Sequence, residues 1–177
     1  MEMSFPLRAR PLFRSALLVV LLAANPVLAD DPPQVNHQAI PCTVPDQPFT
    51  VCAEISDDGA VKAARVYFRA EGEDFYYYVE MAFGGLEYCA TLPSPREGKV
   101  KTIDYYVQAV DDQFQITRGS SYVIAVQPEA TCGFAPVERD KAKLAGIKVF
   151  AMHKKQGDKL SDHFDRTGIA FVPVGKK

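Results

Sequence analysis

Between residues 49 and 127 the chain runs through six short segments of aromatic, β-branched and alternating apolar residues: FTVCAEI, VKAARVYFRA, FYYYVEM, LEYCATL, IDYYVQAV and SYVIAV. The breaks between them, SDDGA, EGED, FGG, PSPREGK and DDQFQ, hold the Gly, Pro, Asp and Ser that turns require. Segments of this length and spacing predict an all-β fold, an antiparallel β-sandwich, rather than helices. Side chains alternate across a strand, so Val51, Ala53 and Ile55 share one face with Cys52 on the other. In the same way Tyr88, Ala90 and Leu92 point inward and Cys89 outward.

That alternation bears on the four cysteines, Cys42, Cys52, Cys89 and Cys132. If the first and fourth segments are neighbours in one sheet, Cys52 and Cys89 face each other on its outer side. Cys42 and Cys132 then flank the strand train and staple its ends. Of the three possible connectivities, 42–132 with 52–89 is favoured. Spacings of ten, 37 and 43 residues, with no CxxC, do not match zinc-ligand patterns.

The flanks differ from the centre. Residues 1–29 read as a signal peptide. Arg8, Arg10 and Arg14 precede an apolar stretch, ALLVVLLAA, and Val27-Leu28-Ala29 offers a small-residue cleavage site. The stretch is too short to span a bilayer, so a protein without a transmembrane segment is expected, exported and then periplasmic or secreted. Residues 30–48 form a Pro-rich leader, ordered mainly near Cys42, before the sandwich domain of 49–132. Residues 133–177 are a basic C-terminal extension. It should pack as a small appendix: a helical turn, a strand at GIKVFAM, a second turn with Ser161 as N-cap, and a strand from Ile169 to Val172.

Charge separates the same regions. Residues 30–132 carry seven basic and 16 acidic side chains, and residues 133–177 carry ten and five. The extension could fold back on the acidic sandwich or reach an anionic surface. Nucleic acid is not an expected partner, because no basic stripe runs among the strands.

Taken together, ISDDGAVKAARVYFRAEGEDFYYYVEM, LEYCATLP and IDYYVQAVDD resemble the fibronectin type III-like, immunoglobulin-like modules of exported bacterial proteins. The likeness rests on an Asp-rich turn at Ser56 to Gly59, then Val61, Val66, Tyr67, Phe68 and Arg69. It continues with Tyr88, Ala90, Leu92 and Pro93, and with Tyr105, Tyr106, Val107, Ala109 and Asp111. Such modules act as spacers, adhesins and docking surfaces, so the resemblance implies an interaction role. It also places Tyr105 and Tyr106 where these folds keep a tyrosine whose hydroxyl bonds back to the backbone.

Candidate chemistry is sparse. Tyr76, Tyr77 and Tyr78 lie on one strand, where Tyr77 must face away from Tyr76 and Tyr78, and with Tyr67 on the neighbouring strand they form the expected recognition face; a cross-strand aromatic pair on an edge is the simpler account. A protein partner of the envelope or extracellular space ranks first, and a carbohydrate bound on the Tyr76–Tyr78 strand is the alternative. Asp57, Asp58, Asp111 and Asp112 sit in two turns and are the only calcium candidates, against a plain turn-capping role. His153, Asp158, Asp162, His163 and Asp165 match no ligand spacing. His37, His153 and His163 all lie outside the strands and no nucleophile motif is present, so neither an enzyme nor a cofactor is expected.

Overall fold

The computed structural model describes residues 30–133, 147–153 and 159–173. The expected signal peptide, residues 1–29, lies outside them. The order of elements is β1 (Gln34–Asn36), β2 (Cys42–Thr43), β3 (Phe49–Ser56), β4 (Val61–Ala70), β5 (Tyr77–Glu80), β6 (Ala82–Phe83), β7 (Tyr88–Leu92), β8 (Thr102–Asp111), β9 (Ile116–Val126), α1 (Glu129–Cys132), β10 (Ile147–Ala151), α2 (Leu160–His163) and β11 (Ile169–Pro173). Two sheets result, a four-stranded one in the order β1-β3-β7-β6 and a seven-stranded one in the order β11-β10-β5-β4-β8-β9-β2. The chain crosses between them at β1–β2, β2–β3, β3–β4, β5–β6 and β7–β8, giving a two-sheet β-sandwich.

The core is what the alternation demands. Val51, Ala53, Ala90 and Leu92 from the short sheet meet Val66, Phe68, Val79, Ile103, Tyr105, Val107 and Ile124 from the long one. On β3 and β7 the outward positions Cys52 and Cys89 are register partners, and they are disulfide-bonded with Cα atoms 4.1 Å apart. Cys42 bonds Cys132, with Cα atoms 5.7 Å apart, and ties β2 to α1 beyond the last sandwich strand.

The flanking segments are built into the sheets more closely than their composition suggests. In the leader, β1 pairs with β3 and β2 runs parallel to β9. The leader is therefore ordered well before Cys42, because His37 packs edge-on against Tyr105 and Tyr122. His37 Nδ1 lies 2.6 Å from the Cys52 carbonyl, which can only accept, so this nitrogen carries the proton. Nε2 lies 2.7 Å from the Tyr105 hydroxyl in a second hydrogen bond, and that oxygen takes the Ile40 N–H at 3.0 Å. Tyr105 is thus a tyrosine bonded back to the backbone. Burial pushes its hydroxyl pKa up to about 12 despite the Ile40 N–H.

At the other end, the described part of the C-terminal extension is the expected small β-rich appendix, attached as a continuation of the long sheet. β10 adds antiparallel to β5, and β11 pairs parallel with β10. Leu160 and Phe164 enter the core, Phe164 edge-on to Phe68 at 5.3 Å. Ser161 does not cap: α2 begins at Leu160, with Lys159 at the N-cap and no side-chain cap bond. Leu160 sets that start, because anchoring it in the core places Ser161 inside the turn.

Candidate functional site

Outward positions of the long sheet carry a row of rings. Phe150 and Tyr78 are register partners, as are Tyr78 and Tyr67, and Tyr67 and Tyr106, so one line of side chains crosses β10, β5, β4 and β8. Phe150 and Tyr78 stack with centroids 4.8 Å apart and planes 7° off parallel. Tyr67 and Tyr106 stack at 4.8 Å and 8°, and Tyr67 and Tyr78 stand 5.3 Å apart, tilted by 40°. Tyr76 completes the group, edge-on to Tyr106 at 5.1 Å.

Three guanidinium groups lie over these rings. Arg118 on β9 sits 3.8 Å from the Tyr106 centroid, Arg69 4.7 Å from Tyr76 and Arg65 5.1 Å from Tyr78. Arg69 pairs with Asp104 at 3.0 Å and Arg65 with Glu80 at 3.9 Å. Arg118 differs: it is exposed, its side-chain bond runs to the Ser121 hydroxyl, and none of the ion pairs among the described residues includes it. Burial raises the pKa of the Tyr78 and Tyr106 hydroxyls, with Arg65 and Arg118 opposing it, so both stay protonated hydrogen-bond donors at neutral pH.

The four tyrosines expected here do not share one environment. Tyr76 and Tyr78 lie on the outer surface and are half-buried. Tyr67 is also on that surface, yet only 6% exposed, because Tyr78 and Tyr106 enclose it. Tyr77 points the other way, into the core against Phe68 and Phe171, and is no part of a recognition face. The two-residue period of β5 imposes this: with Tyr76 and Tyr78 outside, Tyr77 is inside. Phe150, Tyr106 and Arg118 are the members that reading the sequence missed. Tyr106 could have been found from its place opposite Tyr67 once the third and fifth segments are taken as antiparallel neighbours of the second in one sheet. Phe150 could not, because its strand comes from the distant extension.

The turn carboxylates are brought together. Asp57 and Asp58 in the β3–β4 turn meet Asp111 and Asp112 at the β8–β9 turn, and Asp30 of the leader joins them. A Cβ placed on Gly59 would lie 3.2 Å from Asp112 Oδ1, 3.3 Å from Asp57 Oδ2 and 3.8 Å from Asp30 Oδ1. Among the described residues only Cys52, Glu87 and Cys89 bring three ligand-type atoms within 4.8 Å of one another, and their two sulfurs are joined in a disulfide.

The histidines and acids of the extension are scattered. His153 stacks on Phe75, His163 Nδ1 approaches Glu73 at 3.4 Å, and Asp165 caps Thr167, whose N–H and hydroxyl hold its carboxyl below the usual range. Asp158 lies outside the described residues. All four cysteines are oxidised, so none offers a thiolate.

No protein-family model and no curated protein matches the chain. Among solved structures, an engineered protein is 17% identical, with 55% of this chain and 20% of that one covered and a TM-score of 0.41. A mutant of the SrpA adhesin from Streptococcus sanguinis is 16% identical over 62% of this chain and 65% of that one, with a TM-score of 0.39. A chimeric titin Z1Z2 carrying an exogenous peptide from decorin is 16% identical over 58% of this chain and all of that one, with a TM-score of 0.38. Likenesses this distant carry no argument about function, and the fold rests on the strand order described above.

Proposed function

We propose that this protein is a non-catalytic interaction module of the cell envelope, exported through its N-terminal signal, that engages a protein partner on the outer face of its long sheet. The observation that carries this reading is the ring row ending in Arg118. Tyrosine and arginine are the residues that dominate binding energy in protein interfaces, and held rings lose little entropy when a partner covers them. Hydroxyl edges and a guanidinium are offered outward, while the apolar faces are already satisfied by one another. The fibronectin type III-like pattern of the strands suits a docking or spacer role. Two disulfides fit an oxidising compartment, and among the described residues no helix is long and apolar enough to cross a membrane.

The carbohydrate alternative is less well supported. Stacking on a sugar needs ring faces open to solvent, and here Tyr67, Tyr78, Tyr106 and Phe150 turn their faces to each other. Most basic side chains of the extension lie outside the described residues, and a role on an anionic surface draws no support from those within them.

Site-specific photo-crosslinking in the envelope tests the proposal. A crosslinker at Gln108, beside Tyr106 on the ring face, should give one discrete protein adduct, and one at Glu54 on the opposite sheet should give none. Equal adducts from both positions, or adducts from Glu54 alone, would sink the assignment of the face.

A further inference from the structure

The outermost strands of both sheets are short or blunted. β1, β2 and β6 span two or three residues, and β11 ends its five residues at Pro173. β9 differs. It runs eleven residues, and apart from β8 its partner is β2, which covers only Ala125 and Val126. From Ile116 to Val123 one edge of this strand has no pairing neighbour among the described residues.

The ladder identifies the groups on that edge. The Ala125 N–H turns away from β8 to the Pro41 carbonyl, so alternation turns those of Val123 and Ser121 the same way. At the other end Gln115 faces β8, its carbonyl accepting the Asp111 N–H, so Ile116 and Arg118 face out. Between these pairs β9 holds one residue more than β8, since Arg118 and Ser121 stand opposite Gln108 and Tyr106. Gly119 permits that bulge: a Cβ there would lie 3.3 Å from both the Val107 carbonyl oxygen and Val35 Cγ1. The extra residue keeps Ile116, Arg118, Ser121 and Val123 together on the outer face, opposite Val110, Gln108, Tyr106 and Asp104. Ile116 and Val123 are 61% and 59% exposed and flank Arg118. An open edge with two exposed β-branched residues, and neither proline nor lysine to blunt it, is a template for another strand.

Charge indicates what that strand carries. Arg65 and Arg69 are ion-paired on the outer face, whereas none of the ion pairs among the described residues includes Arg118. Lys62 adds a second cation nearby, over the Phe114 ring at 3.7 Å. β9 itself holds no acid, so a second copy laid along it would set guanidinium towards guanidinium. An acidic segment complements the edge.

We propose that the open edge of β9 docks an extended segment of the partner protein as an added strand, with an acidic residue facing Arg118 and apolar ones facing Ile116 and Val123. Main-chain bonds to the outward groups of Ile116, Arg118, Ser121 and Val123 supply affinity, and alternate side chains fall beside the ring row and supply specificity. This docking mode rests on the ring-face reading for its partner being a protein, and adds how that partner is held.

The test is selection of short peptides from a random displayed library on the purified, exported protein. Selected peptides should alternate apolar residues around an Asp or Glu. Their binding should slow hydrogen exchange at the amides of Arg118, Ser121 and Val123, and methylation of alternate peptide amides should abolish it. Val123→Pro removes an outward N–H but none of the β8 ladder, so it should weaken the peptide at least tenfold with the urea midpoint nearly unchanged. Should that variant not fold, Ile116→Glu with Val123→Glu, at exposed positions, should weaken the acidic peptide as much. Failure to enrich acidic peptides overturns the edge, as does binding undiminished in whichever variant folds, or protection of the same amides by self-association alone. Crosslinking from Gln108 separates the two readings. An adduct undiminished by the edge variant overturns the edge and leaves the ring face standing; peptide docking on β9 with no adduct from Gln108 keeps the edge and removes the ring face.

Discussion

On the outer face of the long sheet, four rings in mutual contact and a guanidinium form a row across five strands; on the outer face of the short sheet, the corresponding positions hold small groups and a covalent bond. There the Cys52–Cys89 disulfide lies next to the Thr50–Thr91 hydroxyl pair, and Asn36 donates to Glu54 across β1 and β3. Both faces look outward from the same core, but they are stabilised by different means. Large rings on a solvent face stay soluble here by covering one another, so that Tyr67 is nearly as hidden as a core residue. The short sheet has little side-chain area to bury outside and is held in register by the cross-link. One face therefore keeps its contact chemistry facing outward, and the other contributes mainly to keeping the fold closed.

The largest test of that division is to remove the short-sheet staple. Replacing Cys52 and Cys89 by alanine frees a loop spanning 37 residues, and the chain-entropy estimate puts the loss near 4 kcal/mol. Denaturant unfolding should show that loss, while crosslinking from Gln108 to the partner persists wherever the protein remains folded. Loss of the adduct in a folded variant would show that the two faces are not independent. On the other face, Tyr67→Ala removes the ring that contacts both Tyr78 and Tyr106 and should cost about 3 kcal/mol in urea unfolding. A cost below about 1 kcal/mol would mean that the row is surface decoration.

How much of this could be read beforehand follows from the distance over which each feature is decided. Strand identity and the inward set Val51, Ala53, Ala90 and Leu92 are local, fixed by a two-residue period, and the alternation exposed them. The partnership of Cys52 with Cys89 needed one further premise, that β3 and β7 are neighbours, and it follows once that is granted. The ring row needed much more. Tyr67 and Tyr78 were visible as candidates, but Phe150 reaches the row only because β10 adds to β5 across some 70 residues of sequence. The convergence of Asp30 with Asp57 and Asp111 is also non-local, since a Pro-rich leader gives no periodic sign that it will return to the sandwich. Ser161 shows the opposite error: a good capping residue was overridden by burial of Leu160.

Alkaline pH probes the interior shared by both faces. Burial raises the Tyr77 hydroxyl above its ordinary value and pushes Tyr105 up to about 12, so the folded state favours the protonated phenol. For a group raised in the fold, the stabilisation is complete below the unfolded value near 10 and is lost as pH climbs from there towards 12. Stability should therefore hold to about pH 10 and then fall, with Tyr105 contributing about 1–2 kcal/mol after allowance for partial screening. Tyr105→Phe should flatten part of that fall. It should also lower stability at neutral pH by a similar amount, since His37 Nε2 and the Ile40 N–H lose their shared partner. An alkaline limb unchanged in this variant would remove Tyr105 from the account.

The smallest stability effect is expected at Arg118, where the two faces are most sharply distinguished. Its guanidinium lies 3.8 Å from the Tyr106 ring and its remaining side-chain contact is the Ser121 hydroxyl, so Arg118→Ala should cost no more than about 0.5–1 kcal/mol of folding stability. An exposed cation at the end of a rigid aromatic row is nevertheless placed to meet a carboxylate or carbonyl on a partner. Loss of such a contact from the centre of an interface typically weakens binding by more than tenfold. The measurement is crosslinking yield from Gln108 together with the urea midpoint, for Arg118→Ala and for Arg118→Lys. A drop in yield with an unchanged midpoint, only partly restored by lysine because the planar fork is lost, assigns Arg118 to recognition. If yield and midpoint instead fall together, or neither moves, the long-sheet face has no claim to the partner beyond that of the stapled one.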